Sequence, residues 1–253
     1  MGTLKGKNAF VTGAEQGIGY AVAEGLINAG CDAALHYFQG TEGPEKLVKL
    51  AASLGQKAAY FGADLTDEDQ VKDCVKKSAE FLGGIDVLVN NVGGLIARKS
   101  LVEVDMKFYN IVMDVNLKTM VLVTRECLPY LEKAGAASII NLASLAGRKG
   151  GHNGSLIYST AKGAVVTFTR ALAGELGPKG IRVNAVAPGL ILGTRFHNTF
   201  TTRESADETV KGIPLGRAGN IYDIARAITF LASEYDGFIT GQTIDVNGGV
   251  YCV

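Results

Sequence analysis

The amino-acid sequence predicts an α/β fold: one doubly wound parallel sheet of about seven strands with helices on both faces. Two observations carry this prediction. Short runs rich in Val, Ile and Ala alternate along the chain with longer amphipathic stretches of helical period. The glycine and polar residues that interrupt these patterns follow the ends of the apolar runs. Ligands of such sheets bind outside the carboxyl ends of the strands, so these positions form the candidate site.

The composition limits the kind of protein. Of 253 residues, 47% are apolar and 20% charged, which is enough core for a single domain over residues 1–253 without linker or repeat. Lys+Arg and Asp+Glu both number 25, so nothing indicates a nucleic-acid or membrane partner. The N-terminus shows no signal-peptide pattern, and we expect a soluble cytoplasmic protein. The cysteines and histidines are too scattered for a metal site.

The elements follow from the alternation in chain order. Each predicted strand is a short apolar run closed by Gly, Asn or Asp, and each helix is an amphipathic stretch. Strands are predicted at 8–12, 32–37, 57–62, 85–89, 138–142, 181–186 and 243–246. Helices are predicted at 20–29, 43–54, 67–81, 107–131, 154–176 and 221–232. Thr66 is predicted to cap the third helix.

A glycine-rich turn joins the first strand to the first helix. Glycines at this junction allow a tight turn and let the main chain approach a pyrophosphate at the N-terminus of the helix. The strand–turn–helix context therefore predicts a dinucleotide site. The residues expected to contact the cofactor here are Gly13, Glu15, Gln16, Gly17, Ile18 and Gly19.

Tyr158 and Lys162 are four residues apart in a predicted helix, so their side chains lie on one face, about one turn from each other. A phenol is a poor acid near neutral pH, with a reference pKa of about 10. A neighbouring ammonium favours the phenolate and lowers this pKa. The pair is therefore a candidate proton-transfer site.

With these motifs, the chain resembles the short-chain dehydrogenase/reductase family over essentially its whole length. The motifs occur in the family's order: Thr12-Gly13-x-x-x-Gly17-x-Gly19, Asp64-Leu65, Asn90-Asn91-x-Gly93, Asn116, Ser144, Tyr158-x-x-x-Lys162 and Pro188-Gly189. Two positions depart from the family pattern: Val92 stands where Ala is usual, and Ala143 replaces a frequent Ser. The resemblance implies a Rossmann fold and an enzyme that transfers a hydride between a nicotinamide cofactor and a carbonyl or secondary alcohol.

The resemblance also implies roles for four catalytic residues. Tyr158 would give a proton to the nascent alkoxide in reduction, and Ser144 would hold the substrate oxygen. Lys162 would lower the pKa of Tyr158 and bind the nicotinamide ribose. Asn116 would interrupt its helix and position a water that relays protons. Besides the glycine turn, the family's cofactor positions correspond to Tyr37, Asp64, Leu65, Asn91, Gly93, Tyr158, Lys162, Pro188 and Gly189.

The cofactor is expected to be NAD or NADP. An acidic residue after the second strand would bind the ribose of NAD, and an Arg nearby would bind the extra phosphate of NADP. Residues 36–39 carry neither signal. Gln16 occupies a position that is often Arg in NADP-preferring relatives, and Glu15 would repel a phosphate if it faces the adenosine ribose. These two residues favour NAD.

A substrate loop is predicted at about 189–215. Its Arg195 and His197, together with His152 and Asn153, offer donors for hydroxyls or a carboxylate. Residues 93–99 and the C-terminal segment 238–251 also resemble reductases that act on alginate-derived keto-deoxy-uronate. A polar sugar or sugar acid is therefore the expected substrate. Two alternatives stay open: a 3-oxoacyl-(acyl-carrier-protein) reductase, and a non-catalytic cofactor-sensing protein, which would be expected to lose the catalytic residues.

A homotetramer is the assembly that the resemblance implies, with helices 107–131 and 154–176 at the subunit interfaces. Both helices have apolar faces that fit this role, although packing in the core would also require such residues. The residues concerned are Val112, Val115, Val121, Val165, Phe168 and Leu172.

Overall fold

The computed structural model describes residues 4–233 and 237–252. Seven strands form one sheet in the order β3-β2-β1-β4-β5-β6-β7, and every pairing is parallel. The strands are β1 (Asn8–Val11), β2 (Asp32–Tyr37), β3 (Ala58–Gly62), β4 (Val87–Asn90), β5 (Ala137–Leu142), β6 (Ile181–Pro188) and β7 (Thr243–Val246). The strand order reverses between β1 and β4, which opens a crevice at their carboxyl ends. The predicted fold class is confirmed.

Helices cover both faces of the sheet. They are α1 (Gly17–Asn28), α2 (Glu42–Ser53), α3 (Glu68–Leu82), α4 (Met106–Met113), α5 (Thr119–Ala134), α6 (Leu145–Lys149), α7 (Leu156–Leu176), α8 (Arg195–Phe200), α9 (Arg203–Lys211) and α10 (Ile221–Ala232). The predicted bounds of β2, β7 and α10 agree with the structure, and most others differ by one to three residues. Within the described residues, no helix is both long and apolar enough to cross a membrane.

The core has two layers, one on each face of the sheet. Side chains of α1, α2 and α10 pack on one face, and side chains of α3, α5 and the end of α7 pack on the other. Along β1, Ala9 and Val11 join the first layer while Phe10 joins the second. A strand buried on both faces carries a continuous apolar run, and this is why β1 was recognisable from its sequence.

The start of α3 differs from the prediction. Asp67, not Thr66, is the N-cap, and its carboxylate accepts from the N–H groups of Asp69 at 2.9 Å and Gln70 at 3.1 Å. Thr66 instead donates its hydroxyl to Asp64 Oδ1 at 2.7 Å. The predicted cap was wrong because the turn that Asp64 forms at the end of β3 uses the threonine first.

The predicted helix 107–131 is two helices joined by a π-helical turn, Asp114–Lys118. Asn116 lies inside this turn and is fully buried. Its Nδ2 donates to the carbonyl of Val112 at 2.9 Å and to that of Gly94 at 2.8 Å, and its Oδ1 accepts from the N–H of Gly94 at 3.0 Å. A π turn shifts the main-chain hydrogen bonds by one residue, which leaves a helical carbonyl for the side-chain amide.

Residues 189–215 are not simply a loop, because α8 and α9 lie inside the segment. Thr194 caps α8 by accepting from the N–H of His197 at 3.3 Å. Thr202 caps α9 by accepting from the N–H of Ser205 at 3.2 Å. Both helices are short and mostly exposed, so they lack the apolar period on which the prediction depended. The two capping threonines were the available sequence signal for these helices.

Candidate active site

The glycine turn after β1 fits a pyrophosphate. A Cβ placed on Gly19 would lie 2.0 Å from the carbonyl oxygen of Gly13, so the turn closes only with glycine at this position. Gln16 occupies the N-cap position of α1, and in the described chain no side chain caps this helix. The N–H groups of the first turn therefore point into the crevice, where an anion is stabilised. Ile18, behind the turn, packs against the core.

Asn91 and Thr12 hold the glycine turn to the end of β4. The amide of Asn91 donates to the carbonyls of Thr12 at 2.9 Å and Gly13 at 3.1 Å. The hydroxyl of Thr12 in turn accepts from the N–H of Asn91 at 2.9 Å and donates to the carbonyl of Val89 at 3.2 Å. The adjacent strand ends are thereby fixed at the point where the strand order reverses.

His36, at the end of β2, also supports the glycine turn, and sequence reasoning missed this contact. Its Nδ1 accepts from the N–H of Gly13 at 3.1 Å, so Nε2 carries the proton and donates to the carbonyl of Ala63 at 3.0 Å. Burial lowers the pKa of His36 to about 4. The imidazole is therefore neutral near pH 7, which the acceptor role requires.

The structure brings together the four residues predicted to be catalytic. Ser144 follows β5, and Tyr158 and Lys162 occupy the first two turns of α7. The phenol of Tyr158 is hydrogen-bonded to Ser144, and the ammonium of Lys162 donates to the carbonyl of Leu142 at 2.7 Å. Asn116 faces the same space from the π turn.

Gly93 forms the wall between Asn116 and Lys162. A Cβ at Gly93 would lie 2.7 Å from Asn116 Oδ1 and 2.8 Å from Lys162 Nζ. Only a residue without a side chain allows the amide and the ammonium to approach this closely. The predicted cofactor position Gly93 thus shapes the catalytic group as well.

Burial dominates the ionisation of Tyr158 and Lys162. Desolvation raises the pKa of Tyr158, and the Ser144 hydrogen bond offsets part of that rise. Desolvation lowers the pKa of Lys162 to about 8. The ammonium of Lys162 bonds to the carbonyl of Leu142, and the lowering of the phenol pKa by Lys162 stays a prediction.

The remaining predicted cofactor residues surround the crevice. Glu15 is half-buried in the glycine turn, and its Oε2 has no hydrogen-bond partner among the described residues. Tyr37 packs edge-on against Tyr60, with ring centroids 5.7 Å apart. Asp64 accepts from the N–H of Thr66 at 2.9 Å, and Leu65 is buried in the core.

Pro188 and Gly189 end β6 beside the C-terminal segment. A Cβ on Gly189 would lie 2.9 Å from the Cα of Asn247, so the main chains of the two segments are in close contact. The N–H of Gly189 donates to the carbonyl of Val246 at 3.0 Å. This contact fixes the start of the segment that carries α8.

The predicted substrate residues separate into two groups. His152 and Asn153 are exposed just before α7, and His197 lies near them on α8. His197 packs against Phe196, with ring centroids 4.9 Å apart, and Phe196 packs on the ring of Tyr158 at 5.6 Å. Burial, together with the nearby Arg98 and His152, lowers the pKa of His197 to about 4.

Arg195 belongs to the other group. It is the first residue of α8. Burial raises the pKa of Glu15, and main-chain hydrogen bonds at Glu15 and Phe38 and the charge of Arg195 act against this rise. The preceding Thr194 has its methyl group 3.9 Å from the position that a Cβ of Gly17 would take. The structure thus places Arg195 near the glycine turn rather than among the charged groups that act on His197.

A network of buried side-chain hydrogen bonds beneath the site was also not predicted from the sequence. Asn90 Nδ2 donates to Thr124 Oγ1 at 3.0 Å and to Asn141 Oδ1 at 2.9 Å. Asn141 Nδ2 donates to Thr169 Oγ1 at 3.0 Å. These bonds tie β4 and β5 to α5 and α7, and they fix the positions from which the catalytic residues project. Asn90 was identified only as part of the family motif. Asn141 lies within an apolar run, so no sequence signal indicated its role.

Comparison with known proteins places the chain in a family. The family model described as Enoyl-(Acyl carrier protein) reductase matches residues 13–251. The 3-oxoacyl-[acyl-carrier-protein] reductase FabG of Staphylococcus aureus is 37% identical over 97% of this chain and 98% of its own length.

Solved structures agree over nearly the whole chain. The NADH-dependent reductase A1-R' responsible for alginate metabolism is 34% identical with a TM-score of 0.90, and 99% of each chain is covered. A blue fluorescent protein from a metagenomic library, solved in complex with NADPH, is 32% identical with a TM-score of 0.91. That comparison covers 99% of this chain and 100% of the other.

Proposed function

The chain belongs to the short-chain dehydrogenase/reductase family and is an NAD(P)-dependent oxidoreductase, and from that premise we propose that it reduces the carbonyl of a polar sugar acid, such as a keto-deoxy-uronate. The observation that carries the substrate proposal is the basic and polar rim beside Tyr158. Arg98, His152 and His197 lie near one another there. Such donors suit hydroxyls and carboxylates.

The residues of the crevice fit a nicotinamide dinucleotide. The glycine turn leaves main-chain N–H groups of α1 for a pyrophosphate, and the close contact of Gly19 with Gly13 makes room for it. The chemistry that such a cofactor supplies is hydride transfer. The protein contributes alignment of the substrate carbonyl and movement of a proton.

We assign the proton to Tyr158. Its phenol is hydrogen-bonded to Ser144, so a carbonyl oxygen placed between these two side chains is held and protonated at one point. Burial raises the pKa of Tyr158, which keeps the proton on the phenol until an alkoxide forms. Lys162 and Asn116 both approach Gly93 closely and would return a proton to Tyr158 from solvent.

NAD is the proposed cofactor rather than NADP. Glu15 Oε2 is buried without a partner among the described residues, and a ribose hydroxyl would supply the missing donor. A 2′-phosphate at the same place would meet a second anion. The alginate-related neighbour is NADH-dependent and the metagenomic neighbour was solved with NADPH, so both cofactors occur among similar structures.

A second candidate function is reduction of a 3-oxoacyl thioester. It is favoured by the curated relative FabG, which is 37% identical over nearly the whole chain. Phe196 and Phe200, whose ring centroids are 5.6 Å apart, would give an acyl chain an apolar surface beside Tyr158. The basic rim around Arg98 favours the sugar acid instead, because an acyl chain would leave these donors without partners.

We also propose that the protein is a homotetramer. Val112 and Val165 are fully buried in the monomer, so they belong to the core. Val121 is 39% exposed, and Phe168 and Leu172 are only half-buried. These three side chains remain available to a second subunit, as does Ile111, which is 39% exposed. Light scattering coupled to size exclusion would give the number of subunits, and a monomer would contradict the proposal.

One experiment tests the proposed reaction. Wild type and Tyr158→Phe are assayed with NADH on a keto-deoxy-uronate, a neutral sugar and an acetoacetyl thioester. Loss of the phenol proton should lower kcat by about 10²- to 10⁴-fold while NADH binding, measured by fluorescence, is unchanged. Unchanged turnover in Tyr158→Phe would refute the assigned acid. Activity confined to the thioester would contradict the reduction of a sugar acid and support the second candidate function.

A further inference from the structure

Arg98 joins the segment before α7 to the end of α8. Its Nη1 donates to the carbonyl of Asn153 at 3.0 Å, just before α7. Its Nη2 donates to the carbonyl of Phe200 at 3.4 Å, at the end of α8. The guanidinium therefore bridges the segment that leads into the catalytic helix and the helix that covers it. Arg98 lies in the segment 93–99 that resembles keto-deoxy-uronate reductases, but the sequence predicted no role for this residue.

The main chain before Arg98 holds it in this position through a strained turn. The N–H of Ala97 donates to the carbonyl of Leu95 at 2.8 Å, around Ile96, whose φ is +67°. A β-branched residue with positive φ in so tight a turn costs on the order of 1–3 kcal/mol. Such strain persists only where the surrounding structure holds it, and it is frequent at ligand sites.

Close packing fixes Arg98 from the other side. The N–H of Lys99 donates to the carbonyl of Gly154 at 3.0 Å. A Cβ on Gly154 would lie 2.8 Å from the Cβ of Arg98, so only glycine allows this approach. Both neighbouring segments thus set the direction of the Arg98 side chain, which is exposed at the surface.

The charges around Arg98 are unbalanced. Within residues 4–233 and 237–252, no carboxylate oxygen lies within 4.0 Å of its guanidinium. Lys99 is paired with Asp105 at 3.0 Å, whereas the side chains near Arg98 are the imidazoles of His152 and His197. A guanidinium has five N–H donors, and the two carbonyls occupy only two of them. The remaining donors suit a planar anion.

Ring contacts connect this cation to the reacting group. Phe200, whose carbonyl accepts from Arg98, packs on Phe196 with ring centroids 5.6 Å apart. Phe196 packs on Tyr158 at the same distance. A substrate that reaches from the phenol of Tyr158 past these rings meets the guanidinium at the rim.

We propose that Arg98 binds a carboxylate of the substrate and so selects acidic carbonyl compounds over neutral ones. The inference rests on the proposed function and adds the residue that distinguishes acidic substrates from neutral ones. A carboxylate would take the free donors of the guanidinium. The bonds to Asn153 and Phe200 would keep the guanidinium in this orientation.

The test compares a keto-deoxy-uronate with the same compound carrying a carboxamide in place of the carboxylate. Wild type, Arg98→Met and Arg98→Lys are assayed at saturating NADH. Arg170→Met serves as the control, because Arg170 is exposed on α7, about 18 Å along the helix from Tyr158. Arg98→Met should lower kcat/KM for the acid by about 10- to 100-fold, mainly through KM. Its activity on the carboxamide should stay within about twofold of wild type, and Arg98→Lys should recover part of the loss.

Equal losses on both compounds, or no loss on the acid, would overturn the role of Arg98. Failure of the proposed function gives a different result, in which wild type reduces the thioester but neither of the two compounds. In that case, calorimetry measures binding of the keto-deoxy-uronate and tests the role of Arg98 directly. Binding to wild type that is lost in Arg98→Met supports the proposal, and equal or absent binding overturns it.

Discussion

The imidazole of His36 accepts the main-chain N–H of Gly13 at 3.1 Å and connects the glycine turn to the end of β3 through Ala63. A turn that must present its N–H groups to a pyrophosphate gains from a fixed support beneath it. This bond requires a neutral ring, because a protonated imidazole has no acceptor for Gly13.

His36→Leu should weaken NADH binding by about tenfold, since it removes the acceptor and leaves a buried N–H unpaired. At saturating NADH, kcat should stay near the wild-type value, because His36 lies away from Tyr158. His36→Asn offers an oxygen acceptor and should recover part of the affinity. Fluorescence titration of NADH with the three proteins measures this. Equal affinity in all three would show that the bond does not position the turn.

Protonation of His36 should also make stability depend on pH. Burial lowers its pKa to about 4 in the folded protein, although the nearby Asp64 and the bond to Ala63 act against this. In the unfolded chain the pKa is about 6.5, so between these values the unfolded chain binds more protons. The free energy of unfolding should therefore fall by roughly 3 kcal/mol as pH falls from about 6.5 to about 4. Urea unfolding at several pH values should show this loss in wild type and a smaller one in His36→Asn.

Gly93 and Gly94 provide a matched pair of substitutions. A Cβ at Gly93 would press on Asn116 Oδ1 and Lys162 Nζ, at 2.7 and 2.8 Å. A Cβ at Gly94 would meet nothing within 4 Å, and alanine keeps its main-chain bonds to Asn116. Gly93→Ala should therefore lower kcat/KM by about 100-fold or more, while Gly94→Ala should change it by no more than about threefold. A loss in Gly93→Ala no larger than that in Gly94→Ala would contradict the role of the close approach at Gly93.

Much of this site could be predicted from the sequence because its signals are local. Tyr158 and Lys162 share a helix, and the glycine turn is a contiguous motif between a strand and a helix. The partner of Lys162 was not predictable in this way. Its ammonium bonds to the carbonyl of Leu142, which β5 brings near from 20 positions earlier in the chain.

His36 and Arg98 were missed for the same physical reason. The contacts of His36 reach Gly13 and Ala63, and those of Arg98 reach Asn153 and Phe200. Such contacts exist only after the strand ends and α8 have assembled, and no periodicity or spacing encodes them. Short helices such as α8 depend on caps more than on an apolar face, so their sequence resembles a loop.

Lys162 should make the folded protein less stable than it would be with an apolar residue at this position. Burial lowers the pKa of Lys162 to about 8, so the charged form that prevails near pH 7 is disfavoured by roughly 3 kcal/mol. Lys162→Met removes this cost together with the bond to Leu142, and should raise the free energy of unfolding by about 1–3 kcal/mol while turnover is lost.

The stability of wild type should also rise as pH increases from about 8 to about 10.5. In this range the unfolded lysine keeps a proton that the folded one has released. Lys162→Met should lack that rise. Calorimetry of both proteins across this range measures it, and a less stable Lys162→Met would show that the bond to Leu142 outweighs the burial of the charge.

Glu15 should decide between the two cofactors. Its Oε2 is buried without a partner among the described residues. Burial raises the pKa of Glu15, although main-chain hydrogen bonds at Glu15 and Phe38 and the charge of Arg195 act against this. Glu15→Gln keeps the size and an acceptor for a ribose hydroxyl but removes the charge that repels a 2′-phosphate. The ratio of kcat/KM with NADPH to that with NADH should therefore rise by about tenfold or more, mainly through the KM for NADPH. Glu175→Gln, exposed near the end of α7, is the matched control and should leave the ratio unchanged. If wild type already prefers NADPH, Glu15 does not face the adenosine ribose, and the assignment of NAD is wrong.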